Sequence, residues 1–176
     1  MSFIINEIHK LSIIITVYKE EKTILEILKK VCNVKLSGNI SKEILVINDC
    51  STDGLKIVED FLIEKSNLKF KYLKHNSNQG KGTAIQTGIS HMTGEYLIIQ
   101  DGDLEYDPNE YNILLEPVKK SSSEVVYGSR FIGGKPHRIL FFWHRIGNMF
   151  LTFYSNLFIN LNLTDMETCY KCLNRI

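Results

Sequence analysis

Short runs of β-branched and aliphatic residues recur along the chain: Leu11–Val17 (LSIIITV), Glu43–Asn48 (EILVIN), Glu95–Gln100 (EYLIIQ) and Glu124–Ser129 (EVVYGS). The first three are almost continuous in apolar side chains. That suits strands buried on both faces, hence a sheet covered by helices on either side. A further run, Leu68–Lys74, alternates at period two through Leu68, Phe70 and Tyr72 and reads as a strand with one wetter face. Helical spacing fills the gaps. Lys19–Val31 carries Ile24, Leu25, Ile27, Leu28 and Val31, and Ser51 or Thr52 can cap a helix bearing Leu55, Val58, Phe61 and Leu62. Gly80-Lys81-Gly82 leads into a helix over Thr83–His91, and Asp107-Pro108 opens another. This βαβαβαβ order predicts an α/β fold with a mostly parallel central sheet flanked by helices. Ligands of such sheets bind beyond the carboxyl ends of the strands, so the residues just after each strand carry the functional signal.

The length of 176 residues and a 44% hydrophobic content suit one domain spanning 1–176, with no linker to divide it. Net charge is +1, but it is unevenly spread: from Val125 to Thr164 there is no acidic residue. Such a basic stretch can face phosphate or an anionic membrane surface. Nothing suggests a nucleic-acid partner. Cys169 and Cys172 form a lone C-x-x-C without the further ligands a zinc site needs, so they read as bystander thiols. Asn6, Glu7 and Lys10 argue against a signal peptide. No apolar run is long enough for a membrane span. The expectation is a cytoplasmic protein, peripheral at a membrane face if it meets lipid at all.

Three strand ends supply the chemistry. Tyr18, Glu20 and Glu21 follow the first, Asp49 follows the second, and Asp101-Gly102-Asp103 follows the Glu95–Gln100 strand, with Glu105 next. Two carboxylates separated by one glycine can aim at a common cation, since glycine permits a tight backbone. Mg²⁺ or Mn²⁺ held so keeps positions for phosphate oxygens and can neutralise a diphosphate leaving group. Tyr18 offers a ring to a base and Asp49 an acceptor to its edge, although either can equally be structural. Lys81 adds charge to a glycine-flanked helix start, a setting that favours anions. Arg130 follows the Glu124–Ser129 strand directly and can grip phosphate. Asp165 and Glu167 are the late carboxylates, and either can act as a base or as a hydrogen-bond acceptor. Ile139–Leu161 is aromatic and helical in character, suited to core packing or to meeting lipid or a partner.

In this order the segments resemble glycosyltransferase family 2. Ser12–Glu21 (SIIITVYKEE) stands at the family's first strand, with Lys19 where Asn is more usual. Val46–Gly54 (VINDCSTDG), Asn78–Gly88 (NQGKGTAIQTG), Asp101–Asp103, Gly128–Phe131 (GSRF) and Asp165–Lys171 (DMETCYK) are similar to the segments that follow. The subgroup most like it contains dolichyl-phosphate mannose synthases and polyprenyl-phosphate glycosyltransferases. The resemblance implies a GT-A fold and an inverting transferase using a UDP- or GDP-linked sugar with Mg²⁺ or Mn²⁺. Val17, Tyr18, Glu20 and Asp49 would hold base and ribose. Asp101 and Asp103 would bind metal and diphosphate, and Arg130, less clearly Arg145, would meet the acceptor phosphate or the donor's diphosphate. A lipid phosphate acceptor would need no strong base, whereas a glycan hydroxyl would make Asp165 the candidate. Family members usually continue past the last segment, so the domain is expected to be short at its C-terminus. The rival readings are an inactive nucleotide-binding module, a subunit of a split transferase, and a receiver-like domain, which the motif set disfavours.

Overall fold

The computed structural model describes residues 8–52, 56–64, 69–121, 123–129 and 142–175. Strand β1 (Lys10–Val17) lies mid-sheet, flanked in parallel by β2 (Ser41–Asn48) and β4 (Tyr96–Asp101). Strand β3 (Lys69–Lys74) continues the parallel set beyond β2. Strand β6 (Lys171–Asn174) runs antiparallel to both β4 and β5 (Val125–Tyr127), giving the order β3-β2-β1-β4-β6-β5. The sheet is thus mostly parallel, as the sequence predicts. β6 itself escapes sequence reading, because four residues are too few to show a period.

β1 is apolar throughout because both its faces are covered. Leu11, Ile13, Ile15 and Val17 pack with α1 (Ile24–Asn33) and α4 (Tyr111–Ser121), while Ile14 joins Leu45, Ile47, Leu97 and Ile99 beneath α3 (Lys81–His91). Each such fully buried aliphatic side chain contributes about 1.5–3 kcal/mol. α3 approaches closely through a glycine: a Cβ at Gly88 would stand 2.6 Å from Ile14 Cγ2. α1 turns Ile24, Ile27, Leu28 and Val31 inward, and its C-terminal carbonyls are capped by Lys42 Nζ, which donates to Val31, Cys32 and Val34 oxygens. α2 (Lys56–Glu64) buries Val58 and Phe61.

Several boundaries differ from the sequence expectation. α1 begins at Ile24 rather than Lys19, because Lys19 has φ +60° and the Glu20 carbonyl accepts the N–H groups of Thr23 and Ile24. α3 begins two residues earlier than Thr83, since Gly80 with φ +84° serves as its N-cap. Gly133-Gly134-Lys135-Pro136 and the start of the Ile139–Leu161 stretch lie outside the described residues. Its described helix is α5 (Phe142–Ile159), and it packs polar side inward. Asn148 and Thr152 are buried, while Trp143 and Phe158 are 77% and 80% exposed.

At the amino ends of the strands, Glu43 is buried at 2% exposure with both carboxylate oxygens occupied. Oε1 accepts from Ser12 Oγ and the Thr93 N–H, Oε2 accepts from Thr93 Oγ1, and Lys10 Nζ stands 3.2 Å away. Burial opposes its charge, but the Thr93, Ser12 and Lys10 contacts outweigh it and pull the carboxyl from 4.5 to about 2. Its stabilisation is therefore present above pH 4.5, shrinks as pH falls toward 2, and is gone only below that, where folded and unfolded forms are both protonated. Glu43→Gln should cost about 2 kcal/mol at neutral pH. Denaturant melts across the acid range check this: the gap between the two proteins should narrow between pH 4.5 and 2, and parallel stability curves would refute the assignment.

Candidate active site

The parallel register carries the candidate residues to one rim. Val17 pairs with Asn48 and Thr16 with Asp101, so the ends of β2 and β4 flank the end of β1. There a cleft of about 260 Å³ is lined by Thr16, Val17, Tyr18, Glu20, Asp49 and Asn78, then by Gly80, Lys81, Ala84 and Asp101–Asp103. Val17, Tyr18, Glu20, Asp49, Lys81, Asp101 and Asp103, proposed from sequence to hold nucleotide or metal, thus line one cleft.

Two tight turns shape the wall. Lys19 and Cys50 both adopt left-handed φ, +60° and +57°. At Lys19 this accounts for the asparagine that the family pattern prefers, since Asn tolerates that region better than Lys. The Lys19 N–H donates to Ser51 Oγ at 2.7 Å, and the Ser51 N–H donates to Asn48 Oδ1, tying the two strand ends together. The turns leave the Tyr18 ring exposed, with Lys19 Nζ 5.2 Å from its centroid.

Asp49 is 3% exposed and well partnered. Oδ1 accepts from the Gln79 N–H and from His75 Nδ1 at 2.7 Å, and Oδ2 accepts from the Gly80 N–H. His75 must donate through Nδ1, because a carboxylate only accepts, and its other nitrogen meets Thr87 Oγ1 at 2.9 Å. Burial works against the Asp49 charge, yet the Gln79 N–H, His75 and the Gly80 N–H hold the carboxyl below the usual aspartate range. Asp49 therefore fastens the loop before α3 as well as facing the cleft.

Lys81 Nζ donates to Asp101 Oδ1 at 2.6 Å and to Cys169 Sγ at 2.9 Å. Burial opposes its charge, but the bond to Asp101 and then that to Cys169 prevail and raise the ammonium above the lysine range. For Cys169 burial dominates and pushes the thiol up, so it stays protonated. Asp103 accepts the Glu105 N–H, and Gly102 lies against Glu20, whose Cγ would be 3.1 Å from an added Cβ. Glu20 in turn accepts from Thr23 Oγ1 at the mouth of α1.

The aspartate loop is braced from behind. Tyr111 OH donates to Gln100 Oε1, Gln100 Nε2 donates to the Asp101 and Tyr106 carbonyls, and Tyr170 OH donates to the Asp107 carbonyl. The Tyr106 and Tyr170 rings stack 5.1 Å apart.

Other sequence candidates lie elsewhere. Asp165 is buried, accepts from Asn148 Nδ2 at 2.8 Å, and is not among the residues lining the cleft. Arg145 is exposed on α5. Arg130 lies outside the described residues. Cys169, read from sequence as a bystander, reaches Lys81 beside the cleft, and only its place in the DMETCYK segment hinted at this.

The cleft suits a divalent cation shared with a ligand. Glu20, Asp49, Asp101 and Asp103 face Lys81 as the one base among its described lining residues, so a diphosphate entering it needs added positive charge. Among the described residues no three His, Cys, Asp or Glu side chains form a closed cage. Two carboxylates with phosphate oxygens completing the shell are a usual Mg²⁺ arrangement. Asp49→Asn should cost about 1–3 kcal/mol by setting an amide N–H₂ against backbone donors. Amide exchange at Gln79 and Gly80 should quicken in that variant, and unchanged protection there would refute the tethering role.

Comparison with known proteins bears on the family and the fold. The sequence matches Glycosyl transferase family 2 over residues 12–175. Glucosyl-3-phosphoglycerate synthase from Mycobacterium tuberculosis, solved with Mn²⁺, UDP and phosphoglyceric acid, superposes over 95% of this chain and 56% of its own at a TM-score of 0.69 and 16% identity. The mannosyltransferase PcManGT from Pyrobaculum calidifontis, with GDP-Man and Mn²⁺, covers 68% of this chain and 34% of its own at TM-score 0.58 and 21% identity. S. aureus TarS 1-349 with UDP-GlcNAc covers 72% and 37% at TM-score 0.56 and 25% identity. The chain thus spans between a third and just over half of these proteins, and the shared architecture is the GT-A fold. With its sheet, its strand-end cleft and its sequence in agreement, this chain belongs to glycosyl transferase family 2.

Proposed function

We propose that residues 1–176 act as one catalytic domain that transfers a sugar from a nucleotide diphosphate to an acceptor. The convergence of Asp49, Asp101 and Asp103 with Tyr18 and Lys81 in one cleft carries this reading. Tyr18 stacks on the base, while Val17, Glu20 and the remaining acceptor capacity of Asp49 meet base and ribose. Asp101 and Asp103 would hold Mg²⁺ or Mn²⁺, which would supply positive charge against the leaving diphosphate. Lys81 adds a donor to the phosphates. The nucleotide is UDP or GDP, and neighbours of the same fold were solved with one or the other beside Mn²⁺. An acceptor oxygen attacks the anomeric carbon, the bond to the diphosphate breaks, and the centre inverts.

For the acceptor we favour a polyprenyl or dolichyl phosphate over a glycan hydroxyl. A phosphate is already ionised, and Asp165, the candidate base, is buried against Asn148. On this reading the chain would belong with the dolichyl-phosphate mannose synthase-like members of the family. Arg130, and less directly Arg145, serve the acceptor phosphate or the donor's diphosphate, a role that rests on sequence position.

α5 supports a membrane-facing acceptor. Asn148, Thr152, Ser155 and Asn156 bond inward to residues 163–166, so Phe150, Phe153, Leu157 and Phe158 point outward. Among the described residues no helix is long and apolar enough to cross a bilayer. An apolar face beside an acid-free, basic stretch fits a helix lying in the interface at the cytoplasmic side of an anionic membrane.

Melting with UDP- and GDP-linked sugars, with and without Mn²⁺, tests the donor site. A matching donor at about one hundred times its Kd should raise Tm by roughly 5–11 °C. That shift should need Mn²⁺ and vanish in Asp103→Ala, and the absence of any metal-dependent shift would refute the reading. Binding without release of nucleoside diphosphate to any lipid phosphate would favour a nucleotide-holding module or a subunit of a split enzyme. The helix has its own test. Sedimentation with phosphatidylglycerol vesicles should carry the protein down, and Phe150→Ser, Phe153→Ser and Phe158→Ser together should weaken this about tenfold or more. Equal recovery of the variant would remove α5 from the membrane.

A further inference from the structure

We propose that Lys81 is a resident counter-ion for Asp101 which a divalent cation must displace, and that the freed lysine passes to the donor's diphosphate, coupling metal and nucleotide uptake. This rests on the nucleotide-sugar reading of the cleft.

The geometry sets up a competition. Lys81 Nζ stands 2.6 Å from Asp101 Oδ1, on the carboxylate that sequence and structure both offer to a cation. An ammonium and a divalent ion cannot both sit close to one carboxylate without strong mutual repulsion. The lysine's second partner, Cys169 Sγ at 2.9 Å, is a weak acceptor that gives little reason to stay once Asp101 is taken. A diphosphate gives a strong reason to move, since charge-assisted bonds to phosphate oxygens are about twice as strong as neutral ones.

The placement of the lysine is otherwise unrewarding. Lys81 is the first residue of α3, where the helix macrodipole disfavours positive charge, and no acidic residue stands in that first turn. Its backbone is fixed, because Asp49 grips the preceding Gly80 N–H. Its side chain is half exposed on a flexible stem, so it can turn without any backbone shift. Lys81 therefore holds Asp101 in place while the cleft is unloaded and releases it on loading.

The consequence is cooperative binding. Metal alone must evict the lysine without offering it a new partner and so binds weakly. Metal with nucleotide supplies that partner, and each ligand then tightens the other by the same factor.

Mn²⁺ titration followed by the electron paramagnetic resonance signal of the free ion tests this without any turnover. With no nucleotide present, Lys81→Met should bind Mn²⁺ about tenfold more tightly than the unaltered protein. UDP or GDP should enhance Mn²⁺ binding strongly in the unaltered protein and far less in Lys81→Met. Lys81→Arg, which keeps the charge, should stay within about twofold of the unaltered protein in Mn²⁺ alone. If Lys81→Met does not fold, Lys81→Gln takes its place. Equal or weaker Mn²⁺ binding in the neutral variant, while the unaltered protein binds Mn²⁺ with nucleotide, would overturn the displacement alone. No Mn²⁺ binding in any form, with or without UDP or GDP, would overturn the donor-site reading and this inference with it.

Discussion

β1 is hydrogen-bonded in parallel along both edges, and the arrangement of the candidate site follows from that pairing. Parallel neighbours end at the same rim, so whatever follows β2 and β4 must stand beside whatever follows β1. The register puts Asn48 opposite Val17 and Asp101 opposite Thr16. A slip of one residue would take the buried Ser12 hydroxyl from its bonds with Glu43 and the Gly94 N–H. The bonding that stabilises the sheet is thus also what aligns Asp49 with Asp101.

Gathering carboxylates at one rim is unfavourable in itself, and the structure offsets it locally. Asp49 takes two backbone N–H groups and His75, Asp101 takes Lys81, Asp103 takes the Glu105 N–H, and Glu20 takes the Thr23 hydroxyl. These partners differ in permanence. The N–H groups on Asp49 belong to the backbone before α3 and cannot leave without disturbing the helix. Lys81 is held by a side chain alone. The buried bracing of Gln100, Tyr111 and Tyr170 behind the loop means that the aspartates keep their positions while a counter-ion changes.

α5 shows that apolar content does not decide which side of a helix is buried. Its polar residues sit inside because the 163–166 segment beneath them offers backbone groups and the Asp165 carboxylate. An unpaired buried polar group is costly, and the buried Asn148 and Thr152 avoid that cost through these bonds. The outward rings contact one another instead, Phe150 and Tyr154 lying 4.5 Å apart.

Much of this was legible in the chain itself. Strands β1, β2 and β4 declare themselves because burial on both faces demands continuous apolar residues, and the acids that follow them are conspicuous by contrast. The parallel α/β class follows from the alternation of such runs with helical spacing. Contacts between distant residues were not legible, since no local pattern records them. The four-residue β6 takes its place only by pairing with β4 and β5, and its approach carries Cys169 to Lys81. Sequence named Lys81, Asp49 and Asp101 as ligand-binding residues. Only the tertiary structure decided that Lys81 neutralises Asp101, that Asp49 fastens the loop before α3, and that Asp165 is enclosed beneath α5, because each of these depends on which chain segments the sheet brings within hydrogen-bonding distance.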